Sequence, residues 1–469
     1  MFESELLTQG FSTLLNNPQA LLFATFGVML GIVIGALPGL TATMGVAILL
    51  PFTYGMEPVS GLLMICGVFF GGVYGGSITA ILLKIPGTPA AAATAIDGYE
   101  LTKQGKAGLA LSAATFSSFS GGTLSIIVLM FLSPVLASWA LKFSASESFA
   151  LATFGLSIIA SISGESLIKG LIAGVGGLLI ATIGLDPMGG FPRFTGGFVE
   201  LMNVPFIPVM IGLFAASEAF RSMEQNQQIR RGAKVAIGMI PGAGADIAAF
   251  VAYNETRRFS KTPENFGKGE IKAVASCEAG ANGCTGGALL PMLTLGIPGD
   301  AVTAIMLGAL TLQGMQPGPL MFTDHGDMVY TLFVGMIFCY FMLLVLGLLS
   351  LKVIGNVVKI PGNILTPMIL ALCVVGTYAL NNSLFDVGIM LIAGVVGYFM
   401  QKGGYPASPV VLALIMGPMA ESNFRRALSL SGGSLDFLYT RPITLALLTL
   451  AAFTLLTPII RKIMRLRRQ

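Results

Sequence analysis

Charge is what this sequence has least of. Only 10% of its 469 residues are Asp, Glu, Lys or Arg, against 54% hydrophobic, and the mean hydropathy is +0.84. Soluble domains run near 25% charged, so water is excluded as the solvent for most of this surface. A single histidine, His325, sits in an acidic stretch, and no HExxH occurs, which excludes zinc-protease chemistry. Cys66, Cys277, Cys284, Cys339 and Cys373 are odd in number and contain no CxxC pair, against both a disulfide framework and a zinc site. The first nineteen residues carry Glu3 and Glu5 but no Lys or Arg, the reverse of a cleavable signal. The net charge of +4 comes largely from the tail "RKIMRLRRQ", which is a topology signal and no nucleic-acid patch.

What fills the chain is apolar sequence. Runs at 20–37, 61–83, 109–141, 168–184, 329–351 and 443–460 are each long enough, or nearly so, to cross a hydrocarbon core of about 30 Å as a helix. The expected fold is an all-α polytopic membrane protein of about 11–12 transmembrane segments. Glycine at 27, 31, 35 and 39, and again at 67 and 71, repeats every four residues. That is the small-xxx-small pattern of helices in close approach, and packing is the expected role of most of the 60 glycines.

Basic residues set the orientation, because Lys and Arg collect on the cytoplasmic side. Arg461, Lys462, Arg465, Arg467 and Arg468 put the C-terminus inside. The N-terminal flank, with Glu3, Glu5 and Glu57, is expected in the periplasm. Arg221, Arg230, Arg231 and Lys234 mark one internal loop, and Arg257, Arg258, Lys261, Lys268 and Lys272 mark the next. The stretch between them, "VAIGMIPGAGADIAAFVAYNE", is too short for two crossings and cannot be one. It predicts a re-entrant hairpin entering from the cytoplasm. "GALPGLTA" (35–42) and "GMIPGAGA" (238–245) share GxxPGxxA, and the acidic flanks of the first copy predict entry from the opposite face. Each copy is followed by an Ile-Pro-Gly break, at 85–87 and 297–299, and then by "TAI", at 94–96 and 303–305.

Two inverted-topology repeats follow from this pattern, 1–220 and 235–469, joined by a cytoplasmic linker at 221–234. Secondary transporters are commonly built so, with discontinuous helices meeting near the bilayer midplane. Backbone groups freed by a break in lipid each cost several kcal/mol unless protein, water or a ligand satisfies them. Helix N-termini favour anions, and freed carbonyls favour cations. An intramembrane protease would need paired aspartates or a Ser/His dyad in other spacing. A channel would share the broken helices but not require the inverted pairs.

At these residues the chain resembles a known family. "GALPGLTATMGVAILLPFTYGMEP", "GGVYGGSITAILLKIPGTPAAAATAIDGYELTKQGKAGLAL", "GMIPGAGADIAAFVAY", "LGIPGDAVTAIMLGAL" and "GPMAESNFRRALSLSGGSLDFLYTRPIT" look like the large membrane subunit of the tripartite tricarboxylate transporters. The resemblance implies a bacterial inner-membrane permease working with a small four-helix membrane subunit and a periplasmic solute-binding protein. It also implies uptake of citrate or another carboxylate, driven by sodium or protons, with no organic cofactor. A symporter working without partners is the alternative.

Candidate residues cluster at the hairpins and breaks. For the substrate these are Pro38, Gly39, Thr41 and Thr43 at the first hairpin and Ser77, Thr79, Pro86, Gly87 and Thr88 at the first break. Pro241 and Gly242 at the second hairpin, with Pro298 and Gly299 at the second break, complete the set. Hydroxyls and backbone N–H groups suit a carboxylate without adding negative charge, although each Ser or Thr has the ordinary alternative of bonding its own helix carbonyl. For the coupling cation the candidates are Asp246, Glu278, Asn282, Asp300 and Thr303, with sodium expected at Asp246 and Asp300. An ionisable group within a membrane segment is a functional hypothesis by default. Asp300 also stands where an N-cap belongs, and Glu278 and Asn282, at i and i+4, share one helix face. Lys84 precedes the first break and is expected to snorkel to an interface.

Overall fold

A chain in hydrocarbon must pair its backbone within each segment, and almost every ordered element here is a helix. The computed structural model describes residues 4–37, 40–157, 166–186, 188–202, 205–229, 245–350 and 362–466, with Asp246 described in its backbone only. Helices α1 (Ser4–Leu15), α2 (Pro18–Ala36), α3 (Ala42–Leu49), α4 (Pro58–Leu83), α5 (Ala91–Lys103) and α6 (Ala107–Ala140) come first. Next are α7 (Ala145–Ser157), α8 (Leu167–Ala181), a hairpin of β1 (Gly184–Leu185) and β2 (Pro192–Arg193), α9 (Phe206–Ile211) and α10 (Ser217–Ile229). Last come α11 (Ala245–Phe259), α12 (Ile271–Leu295), α13 (Ala301–Leu312), α14 (Gly326–Ser350), α15 (Gly362–Asn381), α16 (Leu384–Lys402), α17 (Ser408–Leu430) and α18 (Pro442–Leu466). Among the described residues, six helices are long and apolar enough to cross a membrane. The shorter apolar ones include α3 with its 3-10 extension, α8 and α13, so many of the expected segments are less than a full crossing in length.

Helices α2 and α4 start from capped ends. Asn17 accepts from Ala20 N at the start of α2, and Glu57 accepts from Val59 N and Ser60 N at the start of α4. Asn17 Nδ2 also donates to Glu57 Oε2 (3.3 Å), so residues 18–56 leave and return to one level. Consequently α2 and α4 run parallel, and they touch backbone to backbone. A Cβ on Gly27 would lie 2.2 Å from Met64 O, one on Gly31 2.6 Å from Val68 O, and one on Gly35 2.2 Å from Gly72 O. From the other side, Gly71 meets Val28 O at 2.5 Å and Gly75 meets Ile32 O at 2.4 Å. Only hydrogen fits along this seam. A second seam joins α6 to α12, where Gly121 faces Ala279 O at 2.4 Å and Gly286 faces Ser125 O at 2.6 Å.

Both Ile-Pro-Gly breaks use one backbone solution. Lys84 (φ 59°) and Gly296 (φ 70°) turn left-handed. Lys84 N donates to Ala80 O and Ile85 N to Thr79 O; Gly296 N donates to Met292 O and Ile297 N to Pro291 O. Terminal carbonyls are satisfied this way in a Schellman-type end. The left-handed conformation costs a lysine roughly 1 kcal/mol that glycine does not incur. After the first break the chain climbs back along its own helix, with Gly87 N donating to Gly76 O at 3.2 Å. Then α5 descends beside α4 again, where the Thr102 hydroxyl reaches Ile81 O at 2.8 Å.

Two expectations follow. Gly35→Val forces a methyl into a carbonyl and is expected to cost about 3 kcal/mol or more; thermal melting in detergent checks it, beside Gly108→Ala, which meets open space. The charge-based orientation is checked at Tyr54 and Lys261, both exposed, whereas neighbouring Thr53 is buried. In a background cleared of native cysteines, cysteine at 54 should react with an impermeant reagent from the periplasm and at 261 from the cytoplasm. Labelling of both from one side contradicts the inverted arrangement.

Candidate functional site

Four short helices begin deep in the molecule. Helix α13 packs on α3, and Gln313 Nε2, just past the end of α13, donates to Thr53 O at the end of the α3 extension (2.9 Å). α13 has 12 residues, and α3 has 8 plus a 3-10 turn of 4. With their ends together, their starts at Thr41 and Asp300 lie at a common depth, roughly 18 Å away. α5 and α11 do the same from the other side. Both run antiparallel to α12: Thr94 meets Glu278 while Gln104 meets Lys268 O, and Gly280 lies against Ala248 and Ala252. On α4 the starts of α3 and α5 oppose each other about one turn apart, with Ala42 against Gly72 and Thr88 against Gly76. α3 thus packs on α4 and touches α13, while α11 packs on α12 and touches α5.

Three of these starts carry a described polar side chain. Thr41 caps α3, accepting from Met44 N at 3.2 Å. Asp300 and Thr303 form a capping box on α13: Thr303 N donates to Asp300 Oδ1 (2.8 Å) and Asp300 N to Thr303 Oγ1 (2.9 Å). Thr88, just before α5, is buried with its hydroxyl unpaired. A buried polar group without a partner is unusual, and this one stands beside the amides of a helix start.

A second polar centre lies at the first turn of α5. Glu278, 2% exposed, accepts from Thr94 Oγ1 at 2.6 Å and from Ser118 Oγ at 3.1 Å, while the nearby Ser77 hydroxyl donates to Tyr74 O. Asn282 Nδ2 donates to Ser118 Oγ at 2.9 Å, leaving Asn282 Oδ1 buried and unpaired. Further along α12, Thr285 pairs with the Tyr340 hydroxyl at 2.6 Å.

The model of the tripartite tricarboxylate transporter TctA family matches residues 21–412. This chain belongs to that family. Two curated relatives from Agrobacterium vitis are similar to it. One, the "uncharacterized 52.8 kDa protein in TAR-I ttuC' 3'region", is 35% identical over 94% of this chain and 93% of its own length. Another, the "uncharacterized protein in TAR-II ttuC' 3'region", is 34% identical over 46% of this chain and 88% of its own length. No solved structure matches. The family is one of transporters, which is not an enzyme class, and six long apolar helices make this member a multi-pass membrane protein.

The candidate residues of this TctA-family chain separate into three groups. Pro38, Gly39, Pro241 and Gly242 lie outside the described residues, as does the Asp246 side chain. Thr43 is half-buried in the first turn of α3, and Ser77 and Thr79 bond back to Tyr74 O and Gly76 O. Gly87 comes against Gly35, Gly76 and Thr79, Thr88 against Gly76, and Gly299 against Ala288, while Pro298 is buried. Glu278 and Asn282 meet Ser77, Thr94 and Ser118 from the other half. Lys84 is exposed, with its Nζ 5.6 Å from the centre of the Tyr99 ring. No cluster of three His, Cys, Asp or Glu residues occurs among the described residues.

Two polar anchors are ones the sequence did not single out. Asp97, 1% exposed on α5, accepts from Tyr253 Oη (3.0 Å) and from the backbone N–H groups of Gly267, Gly269 and Glu270 (2.8 Å each). It pins the α11–α12 connection to the first half. At the β hairpin, Arg193 holds Glu421 with both guanidinium nitrogens (2.6 and 3.2 Å), and Arg425 holds Asp186 (2.6 Å). Glu421 and Arg425, spaced i and i+4 in "GPMAESNFRR", were the available signal.

Asp186 gives a pH prediction. The Gly189 N–H and then the Arg425 guanidinium hold its carboxyl down at about 2, below the ordinary 3.8. A lowered folded-state pKa contributes stability that is complete above the ordinary value and is lost as pH falls from there towards about 2. Melting temperature in detergent should drop across that window, and Asp186→Asn should lower the neutral-pH value and flatten that part of the acid response. An unchanged acid profile in the variant would assign the drop to other carboxylates.

Proposed function

We propose that this chain is the permease subunit of a secondary active transporter importing citrate or a related carboxylate, driven by an ion gradient. The observation that carries this reading is the set of four short helices starting at depth. A helix start offers amide N–H groups that have no partner within the helix and the positive end of a helix dipole, the environment that a multiply charged carboxylate requires where water is scarce. Thr41 and the unpaired Thr88 hydroxyl add donors without adding negative charge. The coupling cation belongs with the carboxylates of the second half, at the Asp246–Asp300 starts or at Glu278.

In this reading residues 1–220 and 235–469 are two units of inverted topology joined by 221–234. The N-terminus faces the periplasm and the C-terminus the cytoplasm of a bacterial inner membrane. The contacts of α3 with α13 and of α11 with α5 join the two units, and this joining of paired, oppositely oriented elements supports alternating access over a continuous pore. Solute is delivered by a periplasmic binding protein, and a small four-helix membrane subunit completes the assembly, as the family description "tripartite" supports.

Reconstitution tests it. Proteoliposomes with all three components should accumulate labelled citrate or a related carboxylate under an imposed ion gradient; leaving out the binding protein should lower the rate at least about tenfold, or roughly 1.4 kcal/mol. Asp300→Asn keeps the cap yet removes a charge and should reduce uptake by about the same factor with insertion unchanged. Full uptake by the single chain, or ion conduction without accumulation, contradicts the assignment.

A further inference from the structure

Glu278 is a carboxylate without a counter-ion. No lysine, arginine or histidine among the described residues pairs with it, although it is 2% exposed. The ionisable groups on neighbouring elements do not supply positive charge. Asp97 on α5 is a second carboxyl group; Tyr74 on α4 and Tyr340 on α14 are phenols bonded to Thr115 and Thr285. Tyr253 on α11 bonds Asp97, and α6 carries no ionisable side chain at all. On α12 itself Cys277 is adjacent, and Asp300 caps the next helix. The cations on these elements stand at their ends: Lys84 and Lys103 beside Tyr99, Arg257 and Arg258 in the last turn of α11, Lys272 in the first turn of α12.

A full charge in that setting costs several kcal/mol unless it is neutralised. Two small cations fit the requirement, sodium and the proton, and the test below separates them. Thr94 Oγ1 and Glu278 Oε1 are 2.6 Å apart, and Ser118 Oγ and Glu278 Oε2 3.1 Å, hydrogen-bond spacing that a carboxyl group gaining or losing a proton can use. The members of this cluster also suit proton movement. Asn282 Nδ2 donates to Ser118 Oγ, and Ser118 donates to Glu278 Oε2. Hydroxyls donate or accept by rotation, and an amide presents either its nitrogen or its oxygen. With Glu278 protonated the chain reverses: Glu278 donates to Ser118, and Ser118 to an Asn282 Oδ1 that otherwise has no partner.

We propose that Glu278 is the group that carries the coupling proton. A proton from the aqueous side adds to a Glu278 carboxylate oxygen, forming the O–H, and is released from the same oxygen on the other side of the cycle. Ser118 and Asn282 are positioning residues that stabilise both forms. Because Thr94, Ser118 and Ser77 come from the first half and Glu278 and Asn282 from the second, proton binding acts across the boundary along which the halves meet. The proposal rests on the transport reading above and deepens it.

The test uses the reconstituted three-component system with labelled citrate, and the purified permease in nanodiscs. In sodium-free proteoliposomes an imposed pH gradient should drive accumulation by the wild type. Glu278→Gln should lose that accumulation by at least about tenfold while retaining citrate exchange between two equilibrated sides, which needs no net proton movement. Accumulation that requires a sodium gradient and ignores pH, or undiminished pH-driven accumulation in Glu278→Gln, overturns the proposal. Difference infrared spectra in nanodiscs give a readout independent of the solute. A carboxylic-acid carbonyl band should appear on acidification, vanish in Glu278→Gln, and shift in Ser118→Ala, which leaves the carboxylate in place. Its absence in folded wild type overturns the proposal even where transport is confirmed. Its presence with no citrate movement keeps the proton site and removes the citrate reading.

Discussion

Everything in this molecule depends on pairing the backbone groups that a helix break sets free inside hydrocarbon. Helices α4 and α12 end at left-handed Lys84 and Gly296, just before Pro86-Gly87 and Pro298-Gly299, and lipid would offer the freed backbone groups no hydrogen-bond partner. The solution is local and the same in both halves. A left-handed residue closes the last turn, the following amide reaches six residues back, and Gly87 or Gly299 lets the chain lie against its own helix. Only after the carbonyls are closed off in this way do the amides of the next helix start remain available for a solute. The break disposes of acceptors and leaves donors, which is the polarity an anion needs.

The glycine seams serve that arrangement. Because α2 and α4 meet at backbone distance, the end of α2 comes within reach of the first break, where a Cβ on Gly87 would sit 2.1 Å from Gly35 O. Hairpin and break are thereby brought to one place by packing alone. On the other side of the molecule, Asp97 does by hydrogen bonding what the seam does by contact. Its carboxylate gathers the amides of 267, 269 and 270 and so sets the depth at which α5 and α12 meet. That register places Thr94 opposite Glu278.

Much of this was legible in the sequence, for identifiable reasons. Membrane character follows from composition, and the breaks from Pro and Gly, whose backbone restrictions act locally and need no partner to be read. The family followed from long motifs, and the seam glycines from a four-residue period. Pairings across the fold were not legible. Thr94 and Glu278 are 184 residues apart, and nothing in "TAI" distinguishes the hydroxyl that reaches a carboxylate from one that bonds its own carbonyl. Asp97 was passed over for the same reason, since its donors are backbone amides, which no side-chain pattern advertises. Asp300 had a cap position that sequence identifies, whereas the cap at Thr41 and the shared depth of the two helices required the structure, through the Met44 and Gln313–Thr53 bonds.

The α2–α4 seam also constrains how the protein can move. Two rods that interlock carbonyl to Cα at successive turns have no free sliding coordinate, since displacement along the axis by less than a full turn drives an oxygen into a backbone carbon. The pair behaves as one stiff strut. Shape change must then be taken up where contacts are made through side chains, such as α3 against α13, held at its end by a single amide-to-carbonyl bond from Gln313. The strut is thus the frame of reference against which the rest of the permease is displaced.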